Sequence, residues 1–187
     1  MSAAVDLSVA SPIETLRLRL RCPTEADAAE ISNLITPAVS RWVATWPCPY
    51  TKEMAINRIS SALNAASRGL ALSYAVVDKQ QNSLMGWVSV VRGNVSDRKA
   101  TLGYWLGEAF QGKGFMREAA QEVVSAAFRE MDLDTIEAAS QPENLSSLAV
   151  LRRCGMRYVG ERLIYASARG REELCVAYEV GLVSARK

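Results

Sequence analysis

The sequence predicts one mixed α+β domain: a mostly antiparallel sheet with one pair of parallel strands and flanking helices. Three observations lead to this prediction. The chain of 187 residues is 49% hydrophobic, which is enough for one core. Several short segments have apolar residues at every second position, and one long segment between two of them has an apolar stripe at helical spacing. We expect a flexible tail over residues 1–12 and a single domain over residues 13–183.

The first predicted elements are a strand and two helices. Leucines alternate with arginines over residues 15–21, and this period of two is typical of a half-buried strand. Thr24 opens a Thr-x-x-acid helix start, and apolar residues at helical spacing then predict a helix over about 24–35. A second helical pattern covers about 52–67.

The connector between these helices is rich in proline and aromatic residues. Its large side chains include Trp42, Trp46 and Tyr50. They could fill the core or stiffen a turn. They could also form the wall of a ligand site, because pockets favour aromatic side chains on loops held by a rigid scaffold. We assign these three residues to substrate binding.

The middle of the chain changes to a period of two. Turn-forming residues separate three runs typical of an antiparallel meander. The predicted strands cover residues 72–78, 84–91 and 99–106.

A strand-helix-strand unit follows the meander. The apolar stripe over 115–131 predicts a helix of about four turns, and a short strand follows at about 134–140. This helical crossover makes the strand at 134–140 parallel to the one at 99–106. A short helix over about 144–154 comes next. A closing hairpin has strands at about 156–166 and 172–182.

Composition excludes several kinds of chemistry. The chain has no histidine, which removes Ser-His-Asp and Cys-His catalysis and any histidine-ligated metal. The four cysteines are too far apart for a zinc or dithiol motif, so we expect no metal site. Lysine plus arginine number 22 and aspartate plus glutamate 20, a net charge of +2 that does not favour nucleic-acid binding. With no secretory leader or membrane-spanning stretch, we expect a cytoplasmic protein that does not bind membranes.

Residues 107–114, which we call the glycine loop, join a predicted strand to the long predicted helix. Such a loop collects free backbone N–H groups and the positive end of the helix dipole, which suits a phosphate or pyrophosphate. It could equally be an ordinary turn. Gly107 to Lys113 also fits the start of a nucleotide-binding P-loop, but Gly114 stands where that motif needs Ser or Thr.

Three motifs in order and at the right spacing give a family resemblance. They are Gly103-Tyr-Trp-Leu106, Gln111-Gly-Lys-Gly-Phe-Met116, and Asn144-Leu-Ser-Ser147 followed by Gly155-Met156. Over about residues 13–180 the chain resembles the GNAT superfamily of acyl-CoA-dependent N-acyltransferases, and within it the RimJ and RimL ribosomal-protein N-terminal acetyltransferases. The resemblance implies a GNAT fold whose two parallel strands splay to admit acetyl-CoA as cosubstrate.

The resemblance also implies roles for individual residues. Asn144 and Ser147 would lie at the thioester, as catalytic and cofactor-binding residues. The other positions implied for acetyl-CoA contact its pantetheine and pyrophosphate parts; they are Trp105, Leu106, Gly107, Gln111, Gly112, Lys113, Gly114, Phe115 and Met116. The implied reaction is direct acetyl transfer to a primary amine, either a small molecule or a protein N-terminus, by a monomer or homodimer.

The chain departs from the family pattern at three positions. Met116 replaces a small residue, Leu151 stands where many members have a proton-donating Tyr, and Thr101 replaces an acidic residue. Ser147 is therefore the candidate proton donor, although a residue in the first turn of a helix can be purely structural. These departures leave open a non-catalytic module that binds coenzyme A.

Two further questions concern the acid–base chemistry. The resemblance identifies no general base, and Glu108, Glu137 and Tyr165 are the candidates. Cys154 could carry an acyl group, but no histidine is present to activate it, so direct transfer is favoured.

Overall fold

The computed structural model describes residues 6–7 and 10–182. Its strands are β1 (Ile13–Glu14), β2 (Leu18–Arg21), β3 (Ala71–Asp78), β4 (Leu84–Val91), β5 (Lys99–Leu106), β6 (Thr135–Ser140), β7 (Arg157–Ala166) and β8 (Arg171–Gly181). Its α-helices are α1 (Ala28–Leu34), α2 (Pro37–Ser40), α3 (Lys52–Ser67), α4 (Phe115–Glu130) and α5 (Leu145–Arg153). Two single 3-10 turns cover Glu25–Asp27 and Glu108–Phe110.

The eight described strands form one sheet in the order β1-β2-β3-β4-β5-β6-β8-β7. Every neighbouring pair of described strands is antiparallel except β5 and β6, which are parallel. The helical crossover through α4 produces this parallel pair. The predicted mixed fold, with a mostly antiparallel sheet and flanking helices, is confirmed.

Helices cover both faces of the sheet. The apolar stripe of α4 packs on one face, where it buries residues such as Val123 and Ala127 against β2, β4 and β5. On the other face, α1 and α3 pack against β3 and β4, with Ile31 and Ile59 among the buried side chains. Helices therefore cover both faces of the sheet at β3 and β4, next to β5.

The predicted strand at residues 15–21 is wrong in its first half. Only Leu18–Arg21 forms a strand there, and residues 15–17 turn the chain back from β1. The Thr15 amide donates to the Leu18 carbonyl at 2.9 Å and closes this turn, which leaves Leu16 88% exposed. A local turn thus outweighs the alternation of leucine and arginine.

Part of the expected N-terminal tail packs on the domain. Within residues 1–12 the structure describes 6–7 and 10–12. Leu7 is buried in the core beside α4, and its amide donates to the Ala66 carbonyl at 3.0 Å. In this described part the chain differs from a loose tail, because a buried leucine and a backbone hydrogen bond attach it.

An ion pair fixes the junction between β2 and α1. Arg21 donates two hydrogen bonds to the Asp27 carboxylate, at 2.6 and 2.8 Å, and the Thr24 amide donates to the same carboxylate at 2.7 Å. Burial opposes ionisation of Asp27, but the hydrogen bonds from Arg21 and Thr24 outweigh it and lower its pKa. The charged form of Asp27 therefore stabilises the folded state.

We expect Arg21→Ala to lower the free energy of unfolding at pH 7 by about 2 kcal/mol, because it leaves a buried carboxylate without its charged partner. Since folding lowers the pKa of Asp27, this contribution is present above pH ~4 and is lost as the pH falls through the folded-state pKa. Urea unfolding of both proteins between pH 3 and 7 measures it. Arg19→Ala, which breaks an exposed pair with Glu14, is the control and should change stability much less. An equal loss in both variants would contradict the prediction.

Candidate active site

A cavity opens where β5 and β6 separate. These strands pair only from Lys99 to Thr101 on β5 and from Thr135 to Glu137 on β6. Beyond this point β5 is paired with β4 and β6 with β8. The diverging ends of both strands line a cavity of about 810 Å³, so the parallel pair is splayed.

The exposed edge of β5 presents backbone groups to the cavity. The Gly107 amide donates to the Met85 carbonyl at 2.9 Å. This bond shows which residues of β5 direct their backbone N–H and C=O groups towards β4. By the alternation of an antiparallel ladder, the backbone groups of Trp105 then face β4, whereas those of Tyr104 and Leu106 face the cavity. The Gln111 side chain donates to the Leu106 carbonyl at 2.9 Å. An extended amide-bearing ligand would pair with this strand edge.

The glycine loop closes one end of the cavity. Gly112 and Gly114 have positive φ angles of 74° and 80°, a conformation that side-chain-bearing residues rarely adopt. A Cβ atom at Gly112 would meet nothing within 4 Å, so the loop surface is open there. Because Gly114 is the N-cap of α4, the first N–H groups of that helix have no helical partners and point towards the loop. This end of the cavity is suited to an anion.

Arg17 holds the outer side of the glycine loop. Its guanidinium donates to the Lys113 carbonyl at 2.9 Å, pairs with Glu118 at 2.8 Å, and lies 4.4 Å from the centre of the Phe115 ring. Met116, one of the departures from the family pattern, turns its side chain into the core and is 5% exposed. The larger side chain therefore does not fill the loop surface.

A pair of hydroxyl groups lines the cavity. Asn144 caps α5, with its side-chain oxygen accepting a hydrogen bond from the Ser147 amide at 3.2 Å. The Ser147 hydroxyl lies 2.9 Å from the hydroxyl of Tyr104 on β5. Burial raises the pKa of Tyr104, although its hydrogen bond with Ser147 opposes the rise, so the phenol stays protonated. Tyr104 also donates to the Ser147 carbonyl at 3.1 Å, and either hydroxyl can be the donor between them. When Tyr104 donates to the Ser147 hydroxyl, the serine proton is left for another acceptor.

Tyr104 lies in the Gly103-Tyr-Trp-Leu106 motif, from which no role for its hydroxyl was predicted. The signal was present, because period two on β5 places Tyr104 and Leu106 on the same face of the sheet. Its pairing with Ser147, 43 positions later, required the tertiary structure.

Another wall of the cavity is formed by the chain after α2. Trp42 lines the cavity, together with Val43 and Thr45. Trp46 and Tyr50, expected in the same wall, are instead core residues at 5% and 7% exposure. Their rings pack against each other with centroids 5.0 Å apart, so we correct their assignment to a core role.

Arg169, in the turn between β7 and β8, stabilises this wall through hydrogen bonds. Its guanidinium donates to the carbonyls of Ser40 at 2.8 Å and Val43 at 3.3 Å, and it pairs with Glu173 at 2.7 Å. The hydrogen bonds from Arg169, Arg171 and Gln141 lower the pKa of Glu173 to about 2. Glu173 lines the cavity as a permanent carboxylate rather than as a proton carrier near neutral pH.

The three candidate bases lie outside the residues that line the cavity. Burial opposes ionisation of Glu137, but hydrogen bonds from Lys99 and Arg162 outweigh it and lower its pKa. Glu108 is hydrogen-bonded to the Thr36 hydroxyl, and Tyr165 is 61% exposed. None of the three is placed to accept a proton from an amine in the cavity.

The thiol of Cys154 is poorly suited to act as a nucleophile. Burial raises its pKa to about 12, so it is protonated at neutral pH. Within residues 6–7 and 10–182, no three Cys, Asp or Glu side chains are grouped so as to hold a metal ion. Among the described helices, none combines the length and the apolar character needed to cross a bilayer.

Comparisons with known proteins agree with this arrangement. The family described as "Acetyltransferase (GNAT) domain" matches residues 17–157. A "Probable N-acetyltransferase YjcK" of Bacillus subtilis is 34% identical over 114 residues, which are 59% of this chain and 62% of that protein, so the match spans less than two thirds of its length.

Two solved structures show the same fold. A ribosomal-protein-S5-alanine acetyltransferase from Vibrio fischeri is 27% identical with a TM-score of 0.77, and the match covers 91% of this chain and 96% of that chain. RimL, a ribosomal L7/L12 α-N-protein acetyltransferase in complex with coenzyme A, has a TM-score of 0.79 at 22% identity, with 93% and 99% of the two chains covered.

The fold and the family match define the class of protein as one with a GNAT acetyltransferase domain. The chain belongs to the GNAT acetyltransferase family, which confirms the superfamily predicted from the three motifs. RimJ and RimL proteins among the structural neighbours share its fold.

Proposed function

We propose that this protein transfers the acetyl group of acetyl-CoA directly to a primary amine, with a protein N-terminal α-amine as the favoured acceptor. The observation that carries the proposal is the arrangement along one cavity. Its lining includes a strand edge and the glycine loop, the Ser147 hydroxyl, and a separate wall that contains Trp42. The cavity could therefore hold two substrates that meet at Ser147.

The residues along the cavity fit acetyl-CoA. The backbone of Tyr104 and Leu106 would pair with the pantetheine amides. The positive-φ glycines and the first turn of α4 would hold the pyrophosphate, since Gly112, Gly114, Phe115 and Met116 all line the cavity. Of the remaining residues predicted for acetyl-CoA, Gly107 already pairs with Met85, and the Lys113 carbonyl accepts from Arg17.

Bound acetyl-CoA supplies its acetyl group as a thioester: the carbon–nitrogen bond to the amine forms, the carbon–sulfur bond breaks, and a thiolate leaves. Ser147 would donate its proton to this thiolate, and the proton that the attacking nitrogen loses would return to Ser147 through the Tyr104 hydroxyl 2.9 Å away, so that both hydroxyls end protonated. Asn144 orients the first turn of α5 on which Ser147 lies. This pair would replace the tyrosine that many family members have at the position of Leu151.

The acceptor must lose one proton before it attacks. An α-amine has a pKa of about 7.7–8.0, so an appreciable fraction is neutral at pH 7 without a strong base. Glu173 also lines the cavity, but Arg169 and Arg171 pair with it and offset its charge, so it stabilises the wall rather than attracts the ammonium form. The ribosomal-protein acetyltransferases among the structural neighbours support a protein N-terminus as acceptor.

A thiol-release assay tests the proposal. We expect acetyl-CoA-dependent release of coenzyme A with short peptides that have a free N-terminus, and loss of release with the same peptides N-terminally acetylated. Lysine-containing acetylated peptides and small polyamines form the other arms of the panel. Release of coenzyme A with polyamines alone would show that the acceptor is a small molecule and not a protein N-terminus. Binding of acetyl-CoA without release on any amine would instead favour the non-catalytic module.

A further inference from the structure

Gly103 lies in the interior of β5, where none of the contacts that the structure describes requires a glycine. Its φ angle is outside the left-handed region, and the register with β4 is regular from Thr101 to Leu106. A Cβ atom at Gly103 would meet nothing within 4 Å, whereas one at Gly86 on β4 would lie 2.2 Å from the Trp105 carbonyl oxygen. Glycine weakens the interior of a strand, and it often marks a position that a ligand approaches closely.

Gly103 and Ala139 occupy corresponding positions where β5 and β6 separate. The last register pair joins Thr101 to Glu137, so Gly103 and Ala139 each come two positions further along their strand. Both residues line the cavity and both are exposed, although β5 and β6 are inner strands of the sheet. The two smallest residue types therefore border the gap, one on each side.

The cavity reaches both faces of the sheet at this gap. Met116 belongs to the core on the α4 face and Val39 to the core on the face of α1 and α3, and both residues line the cavity. Alternation along β5 places Tyr104, which is hydrogen-bonded to Ser147, on the α4 face and Gly103 on the other. An amine that enters from the face of α1 and α3 therefore passes Gly103 before it reaches the Ser147 hydroxyl.

We propose that Gly103 is a specificity-determining residue for the acceptor, because the space left by its missing side chain holds the side chain of the acceptor's first residue. This inference rests on the proposed function and adds to it. Acetyl-CoA on the glycine loop and the first turn of α4 would occupy the α4 side of the gap, which leaves the other side to the acceptor. A larger residue at position 103 would restrict the acceptors to peptides that begin with glycine.

Steady-state thiol release tests the inference with peptides that differ only in their first residue, which is glycine, alanine or valine. For each of the last two, the ratio of its kcat/KM to that of the glycine peptide should fall at least tenfold in Gly103→Val, since one methylene in a pocket is worth about 10- to 200-fold. Gly103→Ala should change the ratio less, in the same direction. Acetyl-CoA affinity, measured by titration, should stay within about twofold.

Gly181→Val is the matched control for these substitutions. Gly181 also has an ordinary φ, its Cβ atom would lie 3.6 Å from the Asp134 carbonyl oxygen, and it is outside the cavity lining. This variant should keep the wild-type ratios. Because the backbone at Gly103 suits any residue, neither Gly103 variant should unfold at a lower temperature than the wild-type protein.

The outcomes separate this inference from the proposed function. Unchanged ratios in Gly103→Val and Gly103→Ala overturn the inference. An equal loss of turnover with all three peptides, or a loss of acetyl-CoA affinity, also overturns it, because either result indicates a general disturbance of the site. Absence of coenzyme A release by the wild-type protein with every peptide overturns the protein N-terminus as acceptor, and it needs no variant.

Discussion

Replacing Gly114 by valine is expected to weaken acetyl-CoA binding by about 30-fold or more. Gly114 has a φ of 80°, where a β-branched residue is strained by about 1–3 kcal/mol, and the loop would move to relieve that strain. The same position caps α4, so any movement displaces the N–H groups proposed to hold the pyrophosphate. Calorimetric titration with acetyl-CoA measures the loss.

Gly170→Val is the matched control for this substitution. Gly170 has a φ of 64°, has nothing within 4 Å of a Cβ position, and lies in the turn between β7 and β8, away from the glycine loop. We expect both variants to unfold at lower temperature, but only Gly114→Val to lose affinity. Unchanged affinity in a folded Gly114→Val protein would remove the glycine loop from the site.

Replacing Ser147 by alanine is expected to lower kcat by roughly 10²- to 10³-fold, the range for losing a positioned proton donor. Acetyl-CoA affinity should change by less than about threefold, because the Asn144 cap uses the backbone amide of residue 147, which alanine retains. Steady-state thiol release gives kcat, and titration gives the affinity. Ser32→Ala, an exposed serine on α1 that bonds to the Ala29 carbonyl, is the control with unchanged kcat.

Tyr104→Phe tests whether the two hydroxyls act together. If Tyr104 returns the proton to Ser147, its removal should lower kcat by about tenfold, and the double variant should be no slower than Ser147→Ala alone. Independent, multiplicative losses would contradict a shared relay. Wild-type kcat in Ser147→Ala would restrict Ser147 to a structural role at the start of α5. Absence of turnover by the wild-type protein on every amine would instead favour the non-catalytic alternative.

The sequence predicted most elements closely because their patterns are local and undisturbed. The strands at 84–91 and 99–106 and the helix that begins at residue 115 occur at the predicted positions. The prediction was wrong where a local hydrogen bond or a distant partner decided the conformation. The turn at Thr15 interrupted a regular alternation, and the short helix α2 begins in the proline-rich connector, where the Thr36 side chain accepts from the Val39 amide.

The candidate site also has parts that the sequence predicted and parts that depended on tertiary packing. Its motifs depend on short-range backbone requirements, such as a positive φ at Gly114 or the Asn144 side chain that caps α5, and these are visible in the order of residues. Trp46 and Tyr50 are residues whose position could not be predicted from the sequence. An aromatic residue in a connector is equally compatible with a ligand wall and with a core, and only packing against α3 and the sheet decided for the core.

The sequence by itself determined the class of fold, the family, the glycine loop and the position of Ser147. The tertiary structure alone decided that β5 and β6 separate after Thr101 and that Tyr104 lies beside Ser147. The physical reason is the range of the interactions. Helix caps, turns and periodicity act between residues a few positions apart, whereas a cavity and its paired side chains depend on how whole elements pack.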